Sequence, residues 1–287
     1  MTLESAVHEA EAKTTITGPA TLTGSVIEFD KGFNNLRFCR HGPMVYNRHD
    51  QYVGRSLDIY GEYNEDECRF LLGLVEGHSA VIEVGANIGS HTVPLAQKCS
   101  VVYAFEPQRL CYQALCANLA LNQLTNVLAW QAAIGVTEGR IFVPDIDPRQ
   151  PANFGGVSMQ ATPTTEAVVL LTLDSIGFPR VDLLKIDVEG MELEALMGAE
   201  KLIDRNRPYI YVENDRREKS PALIRWLWAQ GYELYWHLPP LFNKNNFGGE
   251  KEDVFPNIVS VNMLCLPKAG MDSFGLRQVK GQQDHWH

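Results

Sequence analysis

From about residue 78, short apolar runs alternate with amphipathic stretches, and this alternation constrains the fold more than any other feature. Each apolar run has the length of one strand, and each intervening stretch has the pattern of a helix. Strands connected through helices pair in parallel, because every crossover returns the chain to the same end of the sheet. The predicted strands lie at residues 80–84, 101–105, 126–130, 181–187 and 209–213.

Helices are predicted between and after these strands, and the two ends of the chain depart from that pattern. Near the C-terminus, two strand-like runs, 232–238 and 257–267, are separated by a loop without helical pattern, so they can pair only as an antiparallel hairpin. Residues 1–60 contain β-like pieces and turn residues and are interpreted as a small N-terminal β-rich cap. Residues 61–287 are predicted to form one α/β domain. The predicted helices lie at residues 64–77, 90–99, 107–123, 189–203 and 220–230.

Composition narrows the class of protein. The 287 residues are 45% hydrophobic, which is enough for a sizeable core. With 25 Lys and Arg against 35 Asp and Glu, the net charge is -10, which disfavours a nucleic-acid partner. No apolar run is long enough to span a bilayer, and the six cysteines form no CxxC pair. We therefore expect free thiols and a cytoplasmic protein without a membrane partner, and leave open whether it forms a homo-oligomer.

Two glycines lie in the turn between the first predicted strand and the following helix. Gly85 and Gly89 lack a Cβ atom, so the backbone there can approach a ligand, and the helix N-terminus offers free N–H groups. The dinucleotide signature GxGxxG requires three glycines, whereas this chain has Gly85, Asn87 and Ser90 at those positions. A ligand containing a pyrophosphate is therefore disfavoured.

Two acidic residues at strand ends indicate the kind of ligand, a nucleoside for Glu106 and a cationic group for Glu83. Glu106 follows the second strand and lies 21 residues after Gly85, the spacing at which an acidic side chain binds the hydroxyls of a ribose. Alternatively, Glu106 simply precedes Pro107 at a helix start. Glu83, a buried acid beside the glycine turn, suits a cationic ligand such as a sulfonium amino acid, or is an ordinary strand-end residue.

Four segments together resemble the FkbM family of S-adenosylmethionine-dependent methyltransferases: VIEVGANIGSHTVPLA, YAFEPQ, LLKIDVEGMELEALMGA and YIYVEND. The resemblance covers residues 60–265, and the combination of GANIG with KIDVEG carries it. It implies a class I methyltransferase (Rossmann-like) fold, a seven-stranded sheet whose last strand is antiparallel. It also implies methyl transfer to a hydroxyl oxygen of a sugar or a polyketide-type natural product.

The resemblance also implies a set of cofactor-binding residues. The methionine part of S-adenosylmethionine would contact residues of the first strand end and the following turn, and the ribose would be held by Glu106. Adenine is commonly bound after the third strand, which makes Gln131 and Ala132 further candidates. The residues implied for the methionine part are Glu83, Gly85, Asn87, Gly89, Ser90 and His91.

Asp187, at the end of the fourth strand, is the central catalytic candidate. Ligands of open α/β sheets bind beyond the carboxyl ends of the strands, so Asp187 should face the methyl group or the acceptor. An alcohol is a poor nucleophile until a base takes its proton or a metal lowers its pKa. Asp187 could therefore serve as a base, as a metal ligand or as a partner of the cofactor's ammonium group.

Glu213 and Asn214 end the neighbouring fifth strand. Together with Asp187 they resemble the magnesium site of catechol-type O-methyltransferases, and oxygen ligands are those that Mg²⁺ prefers. The alternative is that Glu213 and Asn214 bind acceptor hydroxyls directly.

Lys185 and Glu189 flank Asp187 and are weaker catalytic candidates. Lys185 either neutralises buried carboxylates or acts as a base with a lowered pKa. Glu189 either favours the N-terminus of the next helix or faces the acceptor.

The C-terminal segment supplies the remaining candidates. His237 ends the sixth strand and is either a general base or a structural residue. The loop after it contains Asn243, Asn246 and Phe247, an amide and ring mixture that suits a sugar, or else forms an ordinary surface loop.

These observations predict an S-adenosylmethionine-dependent O-methyltransferase with a saccharide or a glycosylated or polyketide-type natural product as its small-molecule or glycan acceptor. S-adenosyl-L-methionine is the expected cofactor, and Mg²⁺ is a second candidate. Two alternatives remain open, a nucleotide-cofactor dehydrogenase and a catalytically silent nucleoside-binding protein.

Overall fold

A computed structural model describes residues 26–28, 32–156, 166–267 and 270–286. Its centre is a mixed eight-stranded sheet flanked by helices on both faces. The predicted class I α/β fold is confirmed, because five adjacent strands are parallel and a C-terminal hairpin extends the sheet. The strands of this sheet are β4 (Ala80–Val84), β5 (Val101–Phe105), β6 (Val127–Trp130), β10 (Leu183–Ile186), β11 (Tyr209–Glu213), β12 (Glu233–His237), β13 (Asn262–Leu266) and β14 (Arg277–Gln278).

The strand order is β14-β12-β13-β11-β10-β4-β5-β6. The antiparallel strand β13 lies between β11 and β12, so β12 is separated from β10 by two strands. The seven expected strands are present, and the short β14 adds an eighth by pairing with β12. The eighth strand was missed because a two-residue strand carries no readable alternation.

The helices of the central domain occupy the predicted positions with two exceptions, the first being a short helix at Leu173–Ile176 that was not predicted. Residues 189–203, expected to form one helix, form two that are separated at Gly198, where a Cβ atom would lie 2.0 Å from the carbonyl oxygen of Gly135. The helices are α1 (Val53–Tyr60), α2 (Glu65–Gly73), α3 (Thr92–Lys98), α4 (Arg109–Leu121), α5 (Leu173–Ile176), α6 (Glu192–Met197), α7 (Glu200–Asn206) and α8 (Ser220–Ala229).

Two small sheets accompany the central one. The first consists of β1 (Val26–Glu28), β2 (Asn34–Cys39) and β3 (Gly42–Asn47), all antiparallel, and agrees with the β-rich character predicted for residues 1–60. Of that segment, residues 1–25 and 29–31 lie outside the described residues. The second sheet was not predicted and consists of β7 (Ala132–Ile134), β8 (Gly139–Val143) and β9 (Glu166–Leu171).

The N-terminal sheet packs on the central domain rather than standing apart from it. The side chain of Asn118 on α4 accepts a hydrogen bond from the backbone N–H of Val45 at 2.6 Å and donates one to the Val45 carbonyl at 3.0 Å. Met44 and Tyr46 share a buried apolar cluster with Leu115 of α4. The boundary near residue 60 remains a prediction.

Within the described part of the chain, none of the helices combines the length and the apolar character needed to cross a membrane.

Candidate active site

A cavity of about 270 Å³ opens beyond the carboxyl ends of β4, β10 and β11. The turn after β4 forms one wall, and the segment leading into β13 forms the opposite wall. Parallel pairing brings these strand ends together, since the register aligns Ile186 of β10 with Val84 on one side and Val212 on the other. The residues that follow these three positions therefore lie next to one another at the same edge of the sheet.

Gly85 allows the turn after β4 to lie directly against the end of β10. Its φ is 86°, and a Cβ atom there would be 1.7 Å from the backbone oxygen of Asp187. Gly89 has a φ of 90°, and its Cβ would be 2.8 Å from a side-chain carbon of Leu115. Close packing of protein against protein therefore requires both glycines.

Glu106 joins the end of β5 to the same turn. Its carboxylate accepts the backbone N–H of Asn87 at 2.7 Å and that of Gln108 at 2.8 Å, and the residue is 7% exposed. Burial raises the pKa of Glu106 to about 7, although the two backbone N–H groups stabilise the charged form. Glu106 lines the cavity, where a ribose could reach it.

Three polar side-chain atoms of the turn after β4 are buried without a hydrogen-bond partner among the described residues. They are Asn87 Oδ1, Ser90 Oγ and His91 Nε2, and all three residues line the cavity. Buried polar atoms are nearly always paired, so this wall is complementary to a polar ligand. Burial, followed by the charge of Lys185, holds the pKa of His91 well below its ordinary value, so His91 is neutral.

Lys185 lies between two carboxylates in the lining of the cavity. Its Nζ is 3.4 Å from Asp187 Oδ2 and 3.6 Å from Glu83 Oε1. Burial alone favours the neutral amine, but Asp187, Glu83 and Glu67 raise the pKa of Lys185 above its ordinary value. The alternative that Lys185 is a base with a lowered pKa is therefore wrong, and the reading in which it neutralises buried carboxylates agrees with the geometry.

Glu83 and Thr92 complete this buried network. The Thr92 hydroxyl donates to Glu83 Oε2 at 2.6 Å, and Glu83 is 1% exposed. Burial raises the pKa of Glu83, while Lys185 and Thr92 oppose that shift.

Three carboxylates, those of Asp187, Glu189 and Glu213, lie close together in the cavity lining next to this buried network. One oxygen from each lies within 4.8 Å of the other two. Glu213 Oε2 is buried and has no hydrogen-bond partner in the described part of the chain. Burial, followed by Asp187 and Glu189, raises the pKa of Glu213 well above its ordinary value. A cation placed among these oxygens would relieve their repulsion.

Glu189 adopts a left-handed backbone conformation with φ 54°, and its carboxylate accepts a hydrogen bond from Arg216 at 2.6 Å. Burial, followed by Asp187, raises its pKa to about 7, and Arg216 opposes the shift. Glu189 lines the cavity, so the structure agrees with the acceptor-facing alternative rather than with a helix-capping role alone.

Asn214 does not join the acidic cluster. Side chains alternate along a strand, so Asn214 points to the opposite face from Glu213. There its side-chain nitrogen lies 3.3 Å from Met263 Sδ. The predicted metal set with Asn214 is therefore corrected, because Glu189 supplies the third oxygen near Asp187 and Glu213.

His237 lies outside the cavity. The Tyr211 hydroxyl is 2.7 Å from His237 Nδ1, and the Phe70 ring is 4.1 Å from the imidazole between centroids. Burial lowers the pKa of His237 to about 4. The prediction of His237 as a general base is wrong, because β12 is three strand spacings, about 14 Å, from β10.

The loop residues predicted to bind sugar instead anchor the loop. Asn243 donates to Glu62 Oε1 at 2.8 Å, and the backbone N–H of Phe247 donates to Glu62 Oε2 at 2.8 Å. Asn246 donates to the Glu250 carbonyl at 2.7 Å. None of the three residues lines the cavity, and the surface-loop alternative agrees with their contacts.

Gln131 and Ala132 also lie away from the cavity. Ala132 belongs to β7 and is 3% exposed, and the Gln131 amide is 3.4 Å from Glu166. A smaller crevice continues from Glu106 along Gln108, Val143 and Phe154, and it is the apolar slot next to the predicted ribose site. Of these crevice residues, Val143 belongs to the sheet that was not predicted, and the position of adenine remains a prediction.

The helix before β4 contributes a residue that the sequence did not single out. Glu67 on α2 lines the cavity, is 3% exposed and accepts a hydrogen bond from Asn64 at 2.5 Å. Burial raises the pKa of Glu67 to about 7, although Lys185 opposes the shift. An acid in the first turn of a helix is ordinary, so only the tertiary position of α2 distinguishes Glu67.

The cavity is strongly acidic. Its described lining contains seven carboxylates and a single lysine. Apolar and hydroxyl-bearing side chains, including Leu241, Ile258 and Ser260, complete the wall next to β13. The seven carboxylates belong to Glu67, Glu83, Glu106, Asp187, Glu189, Glu213 and Asp215.

The chain is similar to several known methyltransferases. The chain is 29% identical to the methyltransferase sdnD of Sordaria araneosa over 50% of its length and 68% of that protein. It is also 29% identical to the hexuronic acid methyltransferase AglP of Haloferax volcanii, over 51% of its length and 59% of AglP. The crystal structure of methyltransferase FkbM from Methylobacillus flagellatus has a TM-score of 0.49 and 18% identity, covering 75% of this chain and 55% of that one.

The sequence model described as the methyltransferase FkbM domain matches residues 83–234. That range is more than half of the 287-residue chain and includes the turn after β4, Glu106 and the acidic cluster. The chain spans little more than half the length of AglP and of the Methylobacillus flagellatus protein. On the strength of the matched domain, this chain belongs to the FkbM methyltransferase family.

Proposed function

We propose that this chain transfers the methyl group of S-adenosyl-L-methionine to a hydroxyl oxygen of a saccharide or of a glycosylated or polyketide-type natural product. The observation that carries the proposal is that Glu106 and Asp187 line one cavity. A nucleoside bound at Glu106 would therefore share that space with an acceptor at Asp187.

The residues present fit the cofactor. Asn87, Ser90 and His91 offer buried polar atoms that have no protein partner among the described residues. They would hold the polar methionine end, while Glu106 would hold the ribose hydroxyls. When bound, S-adenosylmethionine supplies a methyl group on a positively charged sulfur, which an oxygen nucleophile can displace. The acidic lining stabilises such a cation.

Asp187 and Glu213 are the two carboxylates that would take the proton from the acceptor hydroxyl. Lys185 lies 3.4 Å from Asp187 and fixes its orientation, so that Asp187 can accept the hydrogen of the acceptor hydroxyl. Glu213 Oε2 is buried without a hydrogen-bond partner among the described residues, which makes it the second oxygen that could take this proton. The cavity walls supply alignment, which accounts for much of the rate in a displacement reaction.

The charge of the cavity bears on the acceptor class. The carboxyl groups of the described lining outnumber its one lysine by seven to one, and those that are ionised would repel an acidic sugar. The acceptor we propose is therefore neutral or basic. In this respect the chain differs from AglP, whose name describes a hexuronic acid methyltransferase.

The test combines binding and turnover. Calorimetry should show S-adenosylhomocysteine binding to the parent chain, at least tenfold weaker binding to Glu106→Gln, and unchanged binding to Glu138→Gln, an exposed control. Methyl transfer from labelled S-adenosylmethionine is then measured on paired neutral, amino and uronic acid glycosides. Binding without transfer to any acceptor would favour the catalytically silent alternative, and tight binding of NADH alone would overturn the proposal.

The acidic cluster also fits a divalent cation. Asp187, Glu189 and Glu213 present only oxygen ligands, which Mg²⁺ prefers. We retain Mg²⁺ as a proposed second cofactor at these three residues, in place of the set that included Asn214. It is the alternative to proton transfer onto Asp187 and Glu213, because a carboxylate that binds the ion is not free to act as the base and the ion itself would lower the pKa of the acceptor hydroxyl.

A further inference from the structure

A second group of metal-ligating side chains lies where the turn between β2 and β3 meets α2, away from the cavity. His41 belongs to that turn, while Glu65 and Cys68 lie three residues apart at the start of α2. His41 Nε2 is 2.8 Å from Glu65 Oε2 and 3.6 Å from Cys68 Sγ. The three ligand atoms all lie within 4.8 Å of one another.

One of these separations matches an edge of a zinc coordination tetrahedron, whereas the 2.8 Å between His41 Nε2 and Glu65 Oε2 is a hydrogen-bond distance that would lengthen when an ion binds. A sulfur at about 2.3 Å and a nitrogen at about 2.0 Å from one zinc ion lie about 3.5 Å apart when their angle is tetrahedral. The observed separation of Cys68 Sγ and His41 Nε2 is 3.6 Å. Imidazole, thiolate and carboxylate are the ligand types that zinc binds.

Both contacts of His41 use the same ring nitrogen, Nε2. A catalytic relay would instead use the two ring nitrogens for different partners, as a base that is oriented by a third group does. Three ligand atoms that lie this close together therefore fit the binding of one shared ion better than the activation of the Cys68 thiol by His41.

Burial and access also suit an ion here. Glu65 and Cys68 are buried, whereas the His41 side chain is 24% exposed and leaves a path for an ion. Arg40 and Arg69 lie 3.7 Å and 3.9 Å from Glu65 and provide the competing account, an ion-pair cluster without metal.

We propose that His41, Glu65 and Cys68 form a three-ligand zinc site that fastens the β2–β3 turn to α2. Binding would release the Cys68 proton to solvent and leave the fourth coordination position open on the exposed side of His41. Glu67, the neighbour of Cys68, lines the cavity, so zinc would fix a cavity wall through α2. The three ligands lie outside the described cavity lining, so the metal-binding test does not depend on whether methyl transfer occurs.

The test uses the full chain, freed of metal under reducing conditions and titrated with Co²⁺. We expect one equivalent to bind with a thiolate-to-cobalt charge-transfer band, and Zn²⁺ to displace it and raise Tm. Cys68→Ser should abolish the band. His41→Gln should weaken binding more than about 100-fold, because loss of an outer partner alone costs up to that much. Cys116→Ser, at the half-buried cysteine of α4, is the matched control and should behave like the parent.

Circular dichroism and cooperative unfolding establish that each variant is folded. His41→Gln changes a partly exposed turn residue, so it decides the question if Cys68→Ser does not fold. Absence of the charge-transfer band in the parent chain would overturn the proposal, as would equal cobalt affinity in the parent and His41→Gln. Either result would leave the ion-pair cluster as the account of these contacts.

Discussion

The backbone oxygen of Asp187 occupies the space where a side chain at residue 85 would begin, 1.7 Å from the Cβ position. The turn after β4 and the end of β10, which both line the cavity, are therefore in direct contact. A change at Gly85 should disturb both halves of the cavity at once.

Gly85→Ala is expected to lower the free energy of unfolding by at least about 2 kcal/mol, because a left-handed backbone costs an alanine about 1–2 kcal/mol before the clash with Asp187 is added. Gly73→Ala is the matched control, since a Cβ at Gly73 meets no atom within 4 Å. Urea denaturation measures both variants. Equal stability of Gly85→Ala and the parent would contradict the close contact.

Lys185→Met leaves Glu83 buried beside Asp187 without its cation. Removing one partner of a buried ion pair costs about 3–5 kcal/mol, so we expect a loss of that order in chemical denaturation. The double variant Lys185→Met with Glu83→Gln should recover part of the loss, because it removes the unpaired buried charge. If the double variant is no more stable than Lys185→Met, the pairing with Glu83 is not what Lys185 provides.

Glu213→Gln removes the carboxylate with the unpaired buried oxygen. We expect kcat for methyl transfer to fall about 100-fold or more, the range typical of a lost general base, while affinity for S-adenosylhomocysteine changes little. Glu218→Gln changes an exposed acid that follows the same strand and serves as the control. Turnover within twofold of the parent would remove Glu213 from the mechanism.

Stability of the cofactor-free chain should decrease as pH rises from 5 to 8. Burial raises the pKa of Glu67, Glu106 and Glu189 to about 7, so the folded chain binds more protons than the unfolded chain in this window. Its stability is then greatest near the acidic end and is lost as these groups ionise, by on the order of 1 kcal/mol per pH unit for each group.

Urea denaturation at several pH values measures this slope. Glu106→Gln should flatten it, whereas Glu138→Gln, at an exposed residue, should leave it unchanged. A stability that increases with pH between 5 and 8 would contradict the raised pKa values.

Chelation tests the proposed Mg²⁺. If Asp187, Glu189 and Glu213 hold the ion, EDTA should slow methyl transfer, and added Mg²⁺ should restore it. Glu189→Gln should require a higher Mg²⁺ concentration for half-maximal rate. The same rate with and without EDTA would exclude the metal from the reaction.

The parallel strands were predictable because β4, β10 and β11 are covered on both faces and therefore consist of nearly continuous apolar runs. The placement of Asp187 beside Glu213 follows from the same strands once they pair in register.

Side-chain direction and strand order explain why the predicted roles of Asn214 and His237 were wrong. Alternation along β11 separates Asn214 from Glu213, and the insertion of β13 removes His237 from the site. Glu67 could not be selected from the sequence, since its role depends on how α2 packs against the strand ends.

The Glu62 carboxylate forms an ion pair with Arg40 of the β2–β3 turn, with 2.7 Å between Arg40 Nε and Glu62 Oε2. It also accepts hydrogen bonds from the Asn243 side chain and from the backbone N–H of Phe247. A backbone bridge between Pro240 and Val259 closes the base of the same loop. The segment between these anchors is therefore tied at its base, and Tyr60 of α1 packs against its Phe242 and Phe255. Because Leu241 and Ile258 line the cavity, exchanging this segment would alter that wall while Glu106 and the turn after β4 stay unchanged.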